Sequence, residues 1–209
     1  MFKLSMIGGA LAASMMFTTA AYAAPPRNRI IIDVVTANGS GCPIGTTAVA
    51  MSPDNTAFTV TYSRYIAQTG AGSDPFAFRR NCQLNLNVHV PNGLTFAVMS
   101  VDYRGFGHLA RGASGRHEAN YYFQGQPLNQ RLATPFRGPM DRNWQIRDQA
   151  GIAERVYRPC GVQRNLNINT ELRVNRGSSS PRQASFLTMD STDTAISTVY
   201  HLTWKRCGR

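Results

Sequence analysis

The chain has 209 residues, 43% of them hydrophobic, and a formal net charge of +11 at pH 7. That length supports one well-buried core and is short for two domains. Behind the N-terminal segment no apolar stretch approaches the roughly 20 residues of a membrane-spanning helix, which argues against a transmembrane segment.

The N-terminal residues have the features of a signal peptide. Lys3 is the only charge, an apolar run rich in small residues follows at 4–17, and Ala21-Tyr22-Ala23 supplies the small-residue pattern that a signal peptidase needs. We predict cleavage after Ala23, because a cut one residue later would leave Pro25 at the first mature position. The expectation is a signal peptide at 1–23 and a single domain at 24–209, secreted or periplasmic after cleavage.

Short strand signals recur along the first hundred residues, and helical periodicity is nearly absent. Turn residues separate the strands, with Pro53-Asp54-Asn55 closing one hairpin and Pro91-Asn92-Gly93 another. Asp74 followed by Pro75 suits the start of a short helical turn that ends near Arg80. The predicted strands lie at 29–36, 46–52, 57–63, 83–90 and 94–103.

The second half of the chain continues as strands with less distinct boundaries. Glycines at 105–115 predict a flexible loop, and its G-x-G-x-x-A match at 105–110 lacks the βαβ setting of a dinucleotide site. The further predicted strands lie at 121–123, 132–136, 144–147, 155–157, 165–174, 183–189 and 195–204. Because the short segments between 121 and 157 are only strand candidates, we count about ten strands, which favour a two-sheet antiparallel β-sandwich, with a β-barrel as the alternative.

Two of these strands alternate strictly and share an Asn-Leu-Asn sequence, at 85–87 and 165–167. Their leucine side is predicted to be buried and their asparagine side to be at least partly solvated. The shared motif indicates either a pseudo-repeat or two strands that are each buried on one side only. The asparagines are candidate binding residues: Asn85, Asn87, Asn167 and Asn169.

Consecutive aromatic residues at 121–123 provide a second binding hint. Alternation along a strand sends at least one of these rings toward solvent or an interface. A flat ring beside amides and guanidinium groups is typical of a surface that binds a glycan or a partner protein. Tyr121 and Tyr122 are therefore candidate binding residues, and the rim of the core is the alternative location.

The positive charge is concentrated in segment 131–182, where ten arginines stand against four acidic residues. One interpretation is attraction to an anionic envelope polymer, an acidic polysaccharide or extracellular nucleic acid, with Arg137, Arg142 and Arg147 on one binding face. The alternative is a compositional bias toward arginine that serves solubility.

Four cysteines in an exported chain predict two disulfide bonds. Cys42, Cys82, Cys160 and Cys207 allow three connectivities, and no C-x-x-C spacing suggests metal or redox chemistry. We favour Cys42 with Cys82 and Cys160 with Cys207, because these pairs close the shorter loops. Each bridge is expected to contribute about 3–4 kcal/mol by restricting the unfolded chain.

With these segments in view, the sequence resembles a family of secreted microbial proteins called domain of unknown function 4360 (DUF4360). The resemblance covers most of the chain after the signal peptide and implies export and a shared fold, without an activity or catalytic residues to carry over. The matching motifs are NGSGCP at 38–43, SPDNTAFTV at 52–60, NCQLNLNVHVP at 81–91, DYRGF at 102–106, ANYYFQG at 119–125, NLNINT at 165–170, TMDSTD at 188–193 and TVYHL at 198–202.

The reactive side chains argue mostly against catalysis, because none of the common nucleophile, zinc or phosphate-loop motifs is present. A non-enzymatic binding domain without a cofactor or resident metal is the first hypothesis. An extracellular hydrolase using carboxylates such as Asp102 and Glu171 is the second, and a secreted inhibitor or toxin is the third. The less favoured metal alternatives are a set of His108, His117 and Glu118, and a calcium turn at 190–193.

Overall fold

The computed structural model describes residues 22–126, 130–149, 156–189 and 197–208, and within these ranges the chain forms twelve antiparallel β-strands and no helix. In chain order the strands are β1 Ile31–Asn38, β2 Thr47–Met51, β3 Ala57–Tyr62, β4 Ile66–Thr69, β5 Arg79–His89, β6 Leu94–Leu109, β7 Ser114–Phe123, β8 Gln130–Arg137, β9 Met140–Gln149, β10 Leu166–Asn175, β11 Ser185–Met189 and β12 Thr198–Arg206. Residues 1–21 of the predicted signal peptide at 1–23 lie outside the described residues, as does the turn at 190–193.

The strands form two sheets. One has five strands in the order β1-β5-β10-β7-β8, and the other has seven, in the order β2-β3-β12-β6-β11-β4 with β9 also paired to β6. Both β9 and β11 pair with 105–108 of β6, so they must lie on opposite edges of that strand. Neither sheet closes on itself within the described ranges. The predicted two-sheet sandwich is confirmed, and the barrel alternative is wrong.

Alternation of side chains builds the core between the sheets. Leu84, Leu86 and Val88 of β5 are buried, as are Leu166 and Ile168 of β10. In the facing sheet the core is aromatic, because the rings of Phe58, Tyr103, Tyr200 and Trp204 are all buried.

The two Asn-Leu-Asn motifs lie on neighbouring strands. Leu86 of β5 stands directly opposite Leu166 of β10, and Asn85 stands opposite Asn167. The leucines face the core and the asparagines face away from it. The shared motif therefore reflects two adjacent strands with one buried side each.

Both predicted disulfides are confirmed. Cys42 is bonded to Cys82 with a Cα–Cα distance of 5.3 Å, and Cys160 is bonded to Cys207 with a Cα–Cα distance of 5.8 Å. The first bond joins the segment between β1 and β2 to β5. The second joins the segment before β10 to the end of β12. Each bond therefore anchors a connecting segment to a strand or strand end.

The predicted flexible loop at 105–115 is wrong, because its first half continues β6 and only 110–113 form the turn to β7. The glycines serve packing instead of flexibility. A Cβ atom on Gly105 would collide with the carbonyl oxygen of Thr188 and the ring of Trp144. Only a glycine lets the neighbouring strand and the tryptophan approach this closely.

Two smaller predictions are also wrong. Residues 75–78 form a hydrogen-bonded turn that is not helical. The Asp74 carboxylate accepts a hydrogen bond from the Phe76 backbone N–H at 2.8 Å. Arg80 belongs to β5. Residues 156–157 are not in a strand, and Arg155 lies outside the described residues.

Candidate functional site

The outer face of the five-stranded sheet carries most of the candidate residues. The side chains on this face alternate with buried ones along β5, β10 and β7, and strand pairing aligns them in rows that cross the three strands. Two amide rows consist of Asn85, Asn167 and Tyr122, and of Gln83, Asn169 and Asn120. Next come Asn81, Glu171 and Glu118, and then the arginine row of Arg79, Arg173 and Arg116.

Side-chain hydrogen bonds connect Asn85 of the first amide row with Asn167 and with the neighbouring Asn165. Asn85 donates to the Oδ1 atom of Asn167 at 2.8 Å, and Asn165 donates to the Oδ1 atom of Asn85 at 2.6 Å. Asn87 accepts a hydrogen bond from Gln163. The first two bonds fix the orientation of Asn85 and Asn167 before any ligand arrives.

Burial within the amide rows differs from the prediction at one position. Asn85, Asn87 and Asn169 are half-buried, as expected for a partly solvated side. Asn167 is only 6% exposed, so its predicted solvation is wrong. Its neighbours on both adjacent strands cover it, and its amide oxygen is satisfied by Asn85. Asn167 therefore helps to hold this face together and has little exposed surface for a ligand to contact.

The two candidate tyrosines lie on opposite sides of β7. Tyr122 is half-buried on the outer face, directly opposite Asn167. Tyr121 is 7% exposed, points into the core and donates a hydrogen bond to the Asp148 carboxylate at 3.1 Å. Alternation thus exposes one ring as predicted, but Tyr121 is not part of this surface.

Two glutamates face each other across β10 and β7, and arginines compensate their repulsion. Glu171 and Glu118 are directly opposite, an arrangement that destabilises a sheet when it is unpaired. Glu171 binds Arg79 and Arg173, with nitrogen–oxygen distances of 2.5 Å in both pairs.

Glu118 repeats this arrangement with a different pair of arginines. It binds Arg116 and Arg131, at 2.8 Å in both pairs. The hydrogen bond from Arg131 is the main cause that lowers the pKa of Glu118, so this carboxylate stays ionised.

The arginine row leaves an excess of positive charge at one end of the face. Arg79, Arg173 and Arg116 occupy equivalent positions on three adjacent strands. Beside them opens a cleft of about 540 Å³ that is lined by Arg116, Arg173 and also Arg137 of β8. With Arg131, five arginines surround two glutamates here, and this end of the sheet is therefore cationic.

Sequence reasoning missed most of this cluster. Arg79 fell in a predicted helical turn, and Arg116 followed a predicted flexible loop, so neither was assigned a sheet face. The alternation at 165–174 predicts that Arg173 lies on the asparagine side of its strand, and this was the one sequence signal for a member of the cluster. The three arginines meet only through the pairing of β10 with β5 and β7.

The arginines expected to share one face do not gather. Arg137 lines the cleft on the five-stranded sheet. Arg147 lies in the other sheet opposite Asp102, and Arg142 lies on the same side of β9 as the buried Trp144. The grouping of these three is therefore wrong.

The carboxylates proposed for hydrolysis are also separated. Asp102 faces away from the core on the seven-stranded sheet, where its Oδ2 atom lies 2.9 Å from the Nε2 atom of His201. Glu171 faces away from the core on the other sheet. Two acids on opposite outer surfaces of a sandwich cannot flank one glycosidic bond, so this pair is not a hydrolytic site.

The histidine set considered for metal binding is dispersed as well. His117 is completely buried, and burial lowers its pKa to about 3. Glu118, the next residue, points to the outer face, and His108 bonds Asp141 on the other sheet at 3.1 Å. Among the residues that the structure describes, no group of three His, Cys, Asp or Glu side chains is placed to hold a metal ion.

Comparison with known proteins places the chain among secreted proteins without a described activity. A family model described as a domain of unknown function (DUF4360) matches residues 28–207. An uncharacterized secreted protein of Arthroderma benhamiae is 38% identical over 184 residues, which cover 88% of this chain and 74% of that protein. That description and the two disulfides are consistent with an extracellular location.

Similarity to solved structures is weak. The enzymatically active domain of tailspike protein 4 from bacteriophage CBA120 has 9% identity and a TM-score of 0.27, and the match covers 82% of this chain and 19% of that one. The cowpea mosaic virus top component has 13% identity and a TM-score of 0.25, covering 82% and 87%. Scores this low support no functional comparison. Separately, no helix in the described ranges has the length and apolar character to span a membrane.

Proposed function

The chain belongs to the DUF4360 family, and from this premise we propose that it is a secreted, non-enzymatic domain that binds a carbohydrate polymer through the outer face of its five-stranded sheet. The observation that carries the proposal is the pair of amide rows with Tyr122 at one end. Amides both donate and accept hydrogen bonds, as sugar hydroxyls do, and a tyrosine ring offers a flat apolar surface.

The face is also suited to binding by its rigidity. Its side chains project from three adjacent strands of one sheet, and Asn85 and Asn167 are already oriented by a hydrogen bond to each other. A ligand that binds such a surface loses little free energy to ordering the protein side chains. An inhibitor or toxin directed at another organism remains an alternative prediction.

A glycan-binding experiment tests the proposal. The purified secreted protein is applied to immobilised neutral and acidic polysaccharides, and affinity is compared with that of a Tyr122→Ala/Asn169→Ala variant. We expect the variant to bind at least about tenfold more weakly, a loss of about 1.4 kcal/mol, because it lacks one stacking ring and one amide.

A matched control separates this effect from general destabilisation. Asn143 and Gln145 are exposed polar residues of β9 in the other sheet. Asn143→Ala/Gln145→Ala should bind like the wild type, and both variants should unfold at a similar temperature. Absence of binding to every polysaccharide, or equal binding by both variants, would contradict the proposed function.

A further inference from the structure

We infer that the cleft beside the arginine row is an anion subsite that holds the carboxylate of an acidic sugar, so that the polymer recognised is an acidic polysaccharide. This inference rests on the proposed function and specifies its ligand. The cleft volume of about 540 Å³ lies within the roughly 300–1,000 Å³ of small-molecule sites. It is therefore large enough to take one residue of a polymer together with its charged group.

The charge pattern of the cleft favours an anion. Arg173 and Arg116 stand directly opposite each other, and Arg79 stands on the other side of Arg173. Like charges in such positions destabilise a sheet. Glu171 and Glu118 each form ion pairs with two arginines, so the two carboxylates compensate only part of the positive charge of these arginines. A bound anion supplies the compensation that the protein itself leaves incomplete.

Arg137 extends this positive charge to the next strand. It stands opposite Ser114 at the end of β8 and lines the cleft with Arg116 and Arg173. Guanidinium groups bind carboxylates through two parallel hydrogen bonds, which gives geometric specificity as well as energy. Three such groups around one cleft form a binding site for a carboxylate.

The neighbouring polar groups favour a sugar over a nucleic acid or polyphosphate. Asn175 lines the cleft, and its Oδ1 atom accepts a hydrogen bond from the Gly177 N–H, while its amide nitrogen donates to no group among the described residues and can serve a ligand. The second amide row begins four residues from the arginine row along β10, about 14 Å away. A polymer with both carboxylates and hydroxyls matches the arrangement of arginines and amides along this face of the sheet.

The test compares two forms of one polymer. Polygalacturonate carries a carboxylate on each sugar, and its methyl ester carries none, so the pair differs mainly in charge. We expect the wild-type protein to bind the acid form at least about tenfold more tightly. Arg137→Gln should lose at least fivefold in affinity for polygalacturonate, with affinity for the ester unchanged. Arg137→Lys should recover only part of the loss, because an ammonium group cannot form the paired hydrogen bonds.

An arginine outside the lining of the cleft controls for net charge. Arg64 is exposed in the turn between β3 and β4, and Arg64→Gln removes the same charge. It should retain wild-type affinity within about twofold at 0.15 M salt, where distant surface charges are screened. Unfolding temperatures of the variants confirm that each one is folded.

Each contrary result has a distinct meaning. Equal binding of the acid and ester forms would overturn the inference and leave the proposed function standing. Equal loss in Arg137→Gln and Arg64→Gln would overturn the subsite by reducing the effect to net charge. Tighter binding to DNA or polyphosphate than to polygalacturonate would overturn the ligand class. If wild type binds no carbohydrate, the proposed function fails together with the inference.

Discussion

At the scale of single residues, His117 is the most unusual side chain in the core. Its ring lies between Tyr103, at a centroid distance of 4.5 Å, and Trp144, at 5.8 Å. Neither ring nitrogen has a hydrogen-bond partner among the described residues. Burial disfavours the imidazolium form and lowers the pKa of His117 to about 3. The folded protein therefore keeps this histidine neutral under conditions in which the unfolded chain would protonate it.

The pKa of His117 predicts a loss of stability in acid. The unfolded chain binds a proton near pH 6.5 and the folded protein only near pH 3, so the free energy of unfolding falls as the pH drops through this window. The slope attributable to one group approaches about 1.4 kcal/mol per pH unit. Urea unfolding of the wild type and of His117→Phe between pH 7 and pH 4 should show a shallower decline in the variant.

His108 provides the control for this experiment. It is partly exposed, and His108→Phe makes the same exchange while the buried histidine stays in place, so stability should decline less steeply with falling pH in His117→Phe than in His108→Phe. A wild-type slope in His117→Phe would contradict the pKa assigned to the buried histidine.

At the scale of elements, β6 organises the seven-stranded sheet. Its 16 residues pair with β12 and β11 on one edge and with β9 on the other. Gly105 allows this arrangement, since a Cβ atom there would meet backbone on one strand and the Trp144 ring on another. A glycine that weakens an isolated strand therefore stabilises this sheet through close packing.

Substitution of this glycine should be costly. We expect Gly105→Ala to lower the free energy of unfolding by about 1–3 kcal/mol, the usual cost of an overpacked core. Gly208→Ala should change it little, because a Cβ atom at Gly208 meets no atom within 4 Å. Chemical denaturation of the two variants measures the difference, and equal stabilities would show that β6 accommodates the extra methyl group.

At the scale of the whole molecule, the core and the two disulfides hold the fold together. One hydrophobic cluster includes residues of both sheets, and the bonds Cys42–Cys82 and Cys160–Cys207 span 40 and 47 residues of sequence. Loops of such similar length restrict the unfolded chain to a similar extent. The two bonds should therefore contribute almost equally to stability.

Removal of either bond tests this expectation. Double replacement of Cys42 and Cys82 by Ser, or of Cys160 and Cys207 by Ser, should lower the free energy of unfolding by about 4 kcal/mol in each case. Urea unfolding of the two double variants provides the measurement. A loss confined to one variant would show that the other bond stabilises the protein by a different mechanism.

The sequence by itself determined which side of a strand is buried and which class of fold results. Strict alternation at 83–90 and 165–174 predicted buried leucines and an outward asparagine side, and the repeated short strands predicted a sandwich. Two well-separated cysteine pairs in a chain with a predicted signal peptide predicted both disulfides. These properties are local, or depend only on loop length, and for that reason they can be recognised without a structure.

Only the tertiary structure decided which strands are neighbours, and the candidate site depends on that choice. Arg79, Arg116 and Arg173 are far apart in sequence and meet in one row because β10 pairs with both β5 and β7. Strand assignment likewise places Arg137 and Arg147 on different sheets, and Asp102 and Glu171 on opposite outer surfaces. A period of two residues specifies the side of a strand, but pairing between distant strands is a property of the whole packed chain.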